Sequence, residues 1–196
     1  MKIDFHVHTS NRSSCARSDE ILMIEQAIAS GLDAVAITDH NLLVPPDRLA
    51  ALNSRYAPFQ ILHGVEVVAD QEDWLVLGAR DRIYQREDWS YPDLWRQVRS
   101  AGDVLVLAHP FRYHATVYAD LQHYPPDAIE SQSNNIRPEL VSKIHLLAES
   151  LGLPTLVNSD AHHTSSLGKY FNYYAEPWLS EDQIFAKIRK FPVLAS

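Results

Sequence analysis

The sequence predicts a single-domain α/β fold in which seven strands form a closed or nearly closed barrel. Short apolar runs alternate with longer amphipathic stretches from one end of the chain to the other, which is the pattern of strand–helix units. The chain has 196 residues, of which 46% are hydrophobic, so it can bury one substantial core and is too short for two domains of usual size. We therefore treat residues 1–196 as one compact domain.

The predicted strands are short apolar runs, each bounded by turn or helix signals. Because strands separated by helical stretches pair side by side in one sheet, a set of seven favours closure of that sheet. The predicted strands cover residues 3–6, 34–38, 60–67, 74–78, 104–108, 128–130 and 155–158.

The predicted helices are amphipathic stretches with recognisable ends. The stretch Ser18-Asp19-Glu20 precedes the apolar positions of the first helix as a capped start, and Gly31 follows them as a C-terminal cap. The irregular stretch 111–126 is predicted to form a loop near a site. The remaining helices are predicted at residues 46–56, 92–101, 138–151 and 181–190.

The charge balance and cysteine content exclude several classes of protein. The formal net charge is -8, so the chain offers no basic surface for a nucleic-acid polymer or an anionic membrane. Cys15 is the only cysteine, which excludes an internal disulfide, and the start MKIDFHVH lacks the features of a secretion signal. No run of about 18 apolar residues is present. We expect a cytoplasmic monomer or small homo-oligomer that acts on a small diffusible molecule.

Histidines and carboxylates stand at the ends of five predicted strands. His6 and His8 are two residues apart at the end of the first strand, so strand alternation sends both imidazoles to the same face. The other strand ends carry Asp39 with His40, Glu66, His109, and Asp160 with His162.

In a barrel of parallel strands these side chains would lie close together. The carboxyl ends of the strands converge on one rim, where such folds place their active sites. Burying so many His, Asp and Glu side chains without partners would cost several kcal/mol each, whereas divalent cations satisfy carboxylates and neutral imidazoles together. The sequence therefore predicts a centre of divalent cations, with ligands that suit Zn²⁺, Mn²⁺ and Fe²⁺ alike.

Five motifs in this order resemble those of the PHP (polymerase and histidinol phosphatase) family. The resemblance runs from residue 3 to about residue 168 and implies a distorted (β/α)7 TIM-like barrel. It also implies hydrolysis of phosphate esters at a centre of two or three metal ions. The motifs are His6-Val-His8, Thr38-Asp39-His40-Asn41, Gly64-Val65-Glu66, Ala108-His109-Pro110 and Asn158-Ser159-Asp160-Ala161-His162.

The resemblance also implies how the ligands are shared among the ions. The first ion would be bound by His6, His8, Glu66 and Asp160, the second by Glu66 and His109, and the third by His40 and His162.

This chain departs from the family pattern at two points. Many members have a His or Asp in the loop after the first motif, where this chain offers Cys15 as the soft ligand. Many also have a histidine between the Gly-Val-Glu and His-Pro motifs, but this chain has none between His63 and His109. We therefore expect the second ion to be held weakly.

The expected reaction is attack of a metal-activated hydroxide on the phosphorus of a small phosphomonoester or phosphodiester. We expect Asp160 and His109 to act in catalysis at the metals. Arg17 and Arg112 lie in loops just beyond ligand motifs, and the forked guanidinium suits phosphoryl oxygens, so both are candidates for binding the phosphate.

Three other functions remain open on the sequence alone. A PHP-type protein tyrosine phosphatase would need an open, shallow site. Metal-dependent hydrolysis of C–N bonds also uses His-x-His barrels, but the usual bridging lysine has no counterpart at a suitable strand end. A non-catalytic, metal-binding accessory domain is the third alternative.

Overall fold

The computed structural model describes residues 1–189, and within this range the chain forms nine β-strands and five α-helices. The strands are β1 (Lys2–Val7), β2 (Ala34–Ile37), β3 (Gln60–Leu62), β4 (Gly64–Ala69), β5 (Glu72–Leu77), β6 (Val104–Leu107), β7 (Ala128–Gln132), β8 (Thr155–Val157) and β9 (Asn172–Tyr173). The helices are α1 (Glu20–Ala29), α2 (Pro46–Tyr56), α3 (Tyr91–Ala101), α4 (Val141–Leu151) and α5 (Glu181–Arg189). Lys190, the predicted end of the last helix, lies outside the described residues.

The strands of residues 1–189 pair in two sheets and do not form a closed barrel. The first sheet has the order β3-β2-β1-β9, and the second has the order β4-β5-β6-β7-β8. The predicted α/β class is confirmed, whereas the described residues do not form the predicted barrel of seven strands. The two sheets approach each other through isolated bridges, between Val7 and Ala161 and between His40 and Glu66.

The strands do not all run in the same direction, as they would in a uniform series of strand–helix units. Strands β1, β2 and β3 are parallel, as are β6, β7 and β8, but β5 runs antiparallel to both β4 and β6. The reason is the length of the β4–β5 connection. Only Asp70 and Gln71 separate the two strands, both with positive φ (48° and 69°), and such a short link makes a hairpin rather than a crossover.

The predicted strand 60–67 is broken at His63. The backbone N–H of His63 donates to Glu181 Oε1 (2.6 Å) instead of to a neighbouring strand. Strand β3 therefore ends in the first sheet, and β4 begins in the second. Gly64 follows, and a Cβ there would lie 2.8 Å from Thr38 Cγ2. The two sheets therefore come together closely at this point, and only glycine leaves enough room.

The predicted helix ends agree with the structure. Asp19 caps α1 by accepting from the backbone N–H of Leu22 (2.9 Å), and Ser90 caps α3. Gly102 ends α3 and Gly152 ends α4, both in the left-handed conformation. The predicted helix 138–151 begins with a short 3₁₀ turn, Pro138–Leu140, before α4.

The core consists of one cluster between the sheets and two clusters under the helices. The inner cluster contains fully buried side chains of β1, β2, β5 and β6, and Ile184, Phe185 and Ile188 of α5 pack against it. Helices α1 and α2 cover the outer face of the first sheet, and α3 and α4 cover that of the second. Because most strands are buried on both faces, they read as apolar runs. Within residues 1–189, every helix is too short or too polar to cross a bilayer.

Candidate metal centre

Seven of the eight predicted ligands come together at one end of the two sheets. His6 lies within β1 and Glu66 within β4, while the others lie in the segments that follow β1, β2, β6 and β8. The topology explains the convergence, since parallel strands bring their carboxyl ends to one rim. The residues are His6, His8, His40, Glu66, His109, Asp160 and His162. Cys15, the eighth, is exposed and belongs to none of the donor groups found within residues 1–189.

Four fully buried side chains form the innermost group. His6 Nε2 lies 3.4 Å from Glu66 Oε1 and 3.3 Å from Asp160 Oδ1. His8 Nε2 lies 3.2 Å from Glu66 Oε2 and 3.3 Å from the same Asp160 oxygen. Ligands bound at about 2.0–2.1 Å in a tetrahedron around one ion are themselves about 3.3 Å apart, so this spacing suits a single cation.

Two carboxylate oxygens of this group are without a hydrogen-bond donor. Glu66 Oε2 and Asp160 Oδ1 are both buried, and no described residue donates a hydrogen bond to either. A buried anionic oxygen in this state is costly unless a cation lies beside it. The donor set of imidazoles and carboxylates therefore fits divalent metal ions.

A second group of donors surrounds His109. Its Nε2 lies 3.2 Å from Glu66 Oε1 and 3.9 Å from Asp160 Oδ2. Its Nδ1 faces Asp73, with Oδ2 at 3.8 Å. Burial, together with the nearby Glu66, raises the pKa of Asp73 to about 6.

Asp73 was missed by sequence reasoning, which considered only the carboxyl ends of strands. Because β5 is antiparallel to its neighbours, its amino-terminal end lies at the rim that the other strands reach with their carboxyl ends. The signal in the sequence is the acidic pair Glu72-Asp73, of which Asp73 directly precedes the apolar run Trp-Leu-Val-Leu.

His40 and His162 form the outer part of the centre. The His8 ring stacks against both, with centroids 4.6 Å from His40 and 4.3 Å from His162. His40 Nδ1 also lies 3.0 Å from Glu66 Oε2. Burial lowers the pKa of both His40 and His162, which leaves their imidazoles neutral and available as ligands.

Buried carboxylates outside the donor groups orient the imidazoles. Glu130 Oε1 lies 3.0 Å from His6 Nδ1, and its Oε2 accepts from the backbone N–H of His109 (3.1 Å). Asp39 accepts from Ser13 Oγ (2.7 Å), and Ser13 Oγ in turn accepts from the backbone N–H of His40 (3.0 Å). Such contacts fix ring orientation around a metal.

Opposite charges in the centre shift several pKa values strongly. Burial alone would lower the pKa of His6, but Asp160, Glu130 and Glu66 raise it well above its usual value. Contacts with Asp160 and Glu66 likewise outweigh burial and raise the pKa of His8 to about 9. The same imidazoles hold the pKa values of Glu66 and Asp160 well below their usual range, although burial opposes this. The centre is therefore built to compensate buried carboxylates with positive charge.

A cavity of about 560 Å³ opens beside Asp160. Arg112 reaches into this region, with Nη1 3.3 Å from both Asp160 Oδ2 and His109 Nε2. Arg17 is exposed on the same wall, so the structure places both arginines next to the donor groups. The rest of the lining is polar and includes Cys15, Asn134, Asn135, His162, His163, Ser165 and Ser166.

Comparison with known proteins identifies one family model. A family described as PHP-associated matches residues 142–191. Among curated proteins, no sequence matches this chain.

Several solved structures share the fold at low sequence identity. PsfC from Pseudomonas syringae PB-5123 is 22% identical with a TM-score of 0.70, and the match covers 94% of this chain and 87% of PsfC. A two-domain protein from Bacteroides vulgatus ATCC 8482, described as containing a predicted PHP-like metal-dependent phosphoesterase, is 16% identical with a TM-score of 0.68. That match covers 84% of this chain and 53% of the other, so this chain spans about half the length of that relative.

An amidohydrolase from Chromobacterium violaceum has the same fold. Its structure contains bound sulfate and no metal, and the two chains are 17% identical with a TM-score of 0.67. The match covers 89% of this chain and 93% of that one. The chain is thus similar to the PHP-associated family over residues 142–191 and shares its fold with a protein described as PHP-like.

Proposed function

We propose that this chain is a metal-dependent phosphoesterase that hydrolyses a small phosphomonoester or phosphodiester. The observation that carries the proposal is the pair of buried, unpartnered oxygens of Glu66 and Asp160 among four imidazoles, directly beside a cavity with two arginines. This combination suits cation binding and anion binding at the same place.

Divalent ions bound here would supply Lewis acidity towards a phosphoryl oxygen and lower the pKa of water near them. The chain's own residues have separate tasks. His6, His8, Glu66 and Asp160 would hold one ion, and His109 with Glu66 a second. Arg112 and Arg17 would bind the phosphoryl oxygens and neutralise the charge that grows on them in the transition state.

The relatives support this choice of reaction. The Bacteroides vulgatus protein is described as PHP-like and as a metal-dependent phosphoesterase. The Chromobacterium violaceum structure contains sulfate, an oxyanion with the tetrahedral shape of phosphate. We propose a cytoplasmic enzyme that binds two or three Zn²⁺, Mn²⁺ or Fe²⁺ ions and acts on a small phosphorylated molecule.

C–N bond hydrolysis is the second candidate, since the Chromobacterium violaceum protein is named an amidohydrolase. Within residues 1–189, the side chains that line the cavity beside Asp160 include no lysine. Lys143 instead donates to the backbone oxygen of Ala115 and lies over Phe111. These observations favour phosphate esters.

A direct test compares turnover of three substrates by protein reloaded with Mn²⁺ or Zn²⁺. p-Nitrophenyl phosphate and bis-p-nitrophenyl phosphate represent mono- and diesters, and a cyclic amide represents the rival reaction. We expect hydrolysis of at least one phosphate ester, falling to the rate of the metal-free protein in Asp160→Asn. Asp88→Asn, at an exposed position, is the matched control. Amide hydrolysis without phosphate-ester hydrolysis would refute the proposal.

A further inference from the structure

Asp73 lies beside Glu66 and His109, the two residues expected to bind the second ion. The sequence has no histidine between His63 and His109, which left the second ion with only Glu66 and His109. In the structure, ligand atoms of Glu66, Asp73 and His109 all lie within 4.8 Å of one another. A third donor is therefore present, although it is a carboxylate and comes from a different strand.

The Asp73 carboxylate is largely buried, with a side chain that is 11% exposed. The nearest basic atom, His109 Nδ1, is 3.8 Å away, which is beyond hydrogen-bond distance. Asp73 therefore does not orient His109 through a hydrogen bond, and a cation beside this largely buried carboxylate would stabilise it.

The backbone on both sides holds Asp73 in place. It pairs with Val68 across the β4–β5 hairpin, and its carbonyl oxygen accepts from the backbone N–H of Ala108 (3.0 Å), the residue before His109. The carboxylate is thus fixed between the strand that carries Glu66 and the loop that carries His109, as a ligand shared by these elements must be.

Charge balance gives a second reason for a further carboxylate. Glu66 and Asp160 carry two negative charges, which one divalent ion already neutralises. A second divalent ion in the same buried centre would leave positive charge uncompensated unless another anion contributed. Besides Glu66 and Asp160, the donor groups found within residues 1–189 contain one further carboxylate, that of Asp73.

We propose that Asp73 is a ligand of a second divalent ion and takes the place of the absent histidine. The inference rests on the proposed function only in assuming that the centre binds metal. Two carboxylates and one imidazole form a harder ligand set than one carboxylate and two imidazoles, so this position favours Mn²⁺ relative to Zn²⁺ more than a histidine would.

The test measures binding, not turnover. Metal-stripped full-length protein is titrated with Mn²⁺, with the paramagnetic resonance signal of free Mn²⁺ as the readout, and the titration is repeated with Zn²⁺ as a competitor. The variants are Asp73→Asn, which keeps the shape of the side chain, and Asp73→His, which supplies the missing ligand. Glu72→Gln is the control, because Glu72 is a buried carboxylate on the same strand that belongs to no donor group of residues 1–189 and accepts from Tyr118 N.

We expect two Mn²⁺ ions per chain in the wild type and in Glu72→Gln. In Asp73→Asn the affinity for the second ion should fall at least about 100-fold. Loss of a residue that only contacts a ligand lowers metal affinity by roughly 10- to 100-fold, so a larger fall indicates a direct ligand. Retention of the first ion shows that this variant is folded. Asp73→His should regain the second ion, with its preference shifted towards Zn²⁺ by about tenfold or more.

Two different failures can be told apart. If the wild type and Asp73→Asn both bind two ions with affinities that differ by less than about tenfold, Asp73 is not a ligand, while the metal centre and the proposed function stand. If the wild type binds no metal, both this inference and the proposed function are wrong.

Discussion

His109 and Asp160 both have backbone conformations that L residues rarely adopt. Their φ angles are 26° and 49°, and Asn41 and Phe111 beside the centre are also positive, at 53° and 66°. Each such residue costs about 1–3 kcal/mol and persists only where the surrounding structure imposes it. The concentration of these residues at one rim is what is expected of a functional site.

The clearest residue-scale prediction concerns Glu130, which holds His6 Nδ1 and the backbone of His109. In Glu130→Gln the charge that fixes the imidazole is lost, so the affinity for the first ion should fall by about 10- to 100-fold. Competition with a fluorescent chelator measures this affinity. The exposed Glu139→Gln serves as a control, and equal affinities in the two variants would show that Glu130 does not position His6.

Most of the donor positions could be predicted from the sequence, because strand alternation and convergence at a rim act on single residues. His6 and His8 follow from alternation, and Asp160 follows from its place after β8. Asp73 could not be found in this way, since its position depends on the direction of β5. Cys15, which we expected as a ligand from the sequence, is exposed on the cavity wall.

At the scale of elements, the contact between β2 and β4 depends on Gly64. A Cβ at this position would lie 2.8 Å from Thr38 Cγ2 and 3.3 Å from the Ile37 carbonyl oxygen. Gly64→Ala should therefore lower the free energy of unfolding by about 1–3 kcal/mol. Thr38→Ser removes Cγ2 and keeps the hydroxyl that accepts from Val7 N, so the double variant should recover part of the loss. Urea unfolding measures all three, and wild-type stability in Gly64→Ala would contradict the steric account.

Glu181 ties α5 to the break between β3 and β4. Burial raises the pKa of the Glu181 carboxyl, but the contacts with His63 and Arg80 lower it by more. The folded-state pKa therefore lies below the usual 4.5. A carboxyl with a lowered folded pKa stabilises the fold above its unfolded pKa and loses this contribution as the pH falls. Glu181→Gln should therefore cost about 1–2 kcal/mol at neutral pH and less near pH 4. A cost that is the same at both pH values would contradict this assignment.

The helices were easier to predict than the strands, and the reason is physical. The Asp19 side chain caps the start of α1 and the backbone N–H of Ser30, the residue before Gly31, caps its end, so both ends depend on a few neighbouring residues. The break at His63 depends on Glu181, which is 118 residues further along the chain. Apolar content alone made residues 60–67 look like one strand.

For the whole molecule, metal binding should contribute measurably to stability. The centre joins β1, β4 and the segments after β2, β6 and β8, so a bound ion links both sheets. A ligand at 100 times its Kd stabilises a fold by about 2.7 kcal/mol, which raises Tm by about 5–10 °C for a chain of this size. Adding chelator to loaded wild-type protein should lower Tm by this amount, whereas Asp160→Asn should respond much less. An unchanged wild-type Tm would mean that no structural ion was removed.

The two-sheet arrangement could not be predicted from the strand count. Apolar runs reveal that strands are buried, but their direction and the pairing of sheet edges depend on short links such as Asp70-Gln71 and on close contacts such as that at Gly64. The predicted α/β class required only the alternation of strands and helices. To predict that the metal-ligating side chains lie at one rim, it was enough that most strands are parallel.

The central claim is that this rim binds at least two divalent ions and uses them to hydrolyse phosphate esters. The most direct test reloads metal-stripped protein in steps and measures, on the same samples, ions bound per chain and the rate of bis-p-nitrophenyl phosphate and p-nitrophenyl phosphate hydrolysis. We expect hydrolysis of one ester to appear as occupancy rises from one to two ions per chain. Hydrolysis that is complete in metal-free protein, or absent with two ions bound, would contradict it.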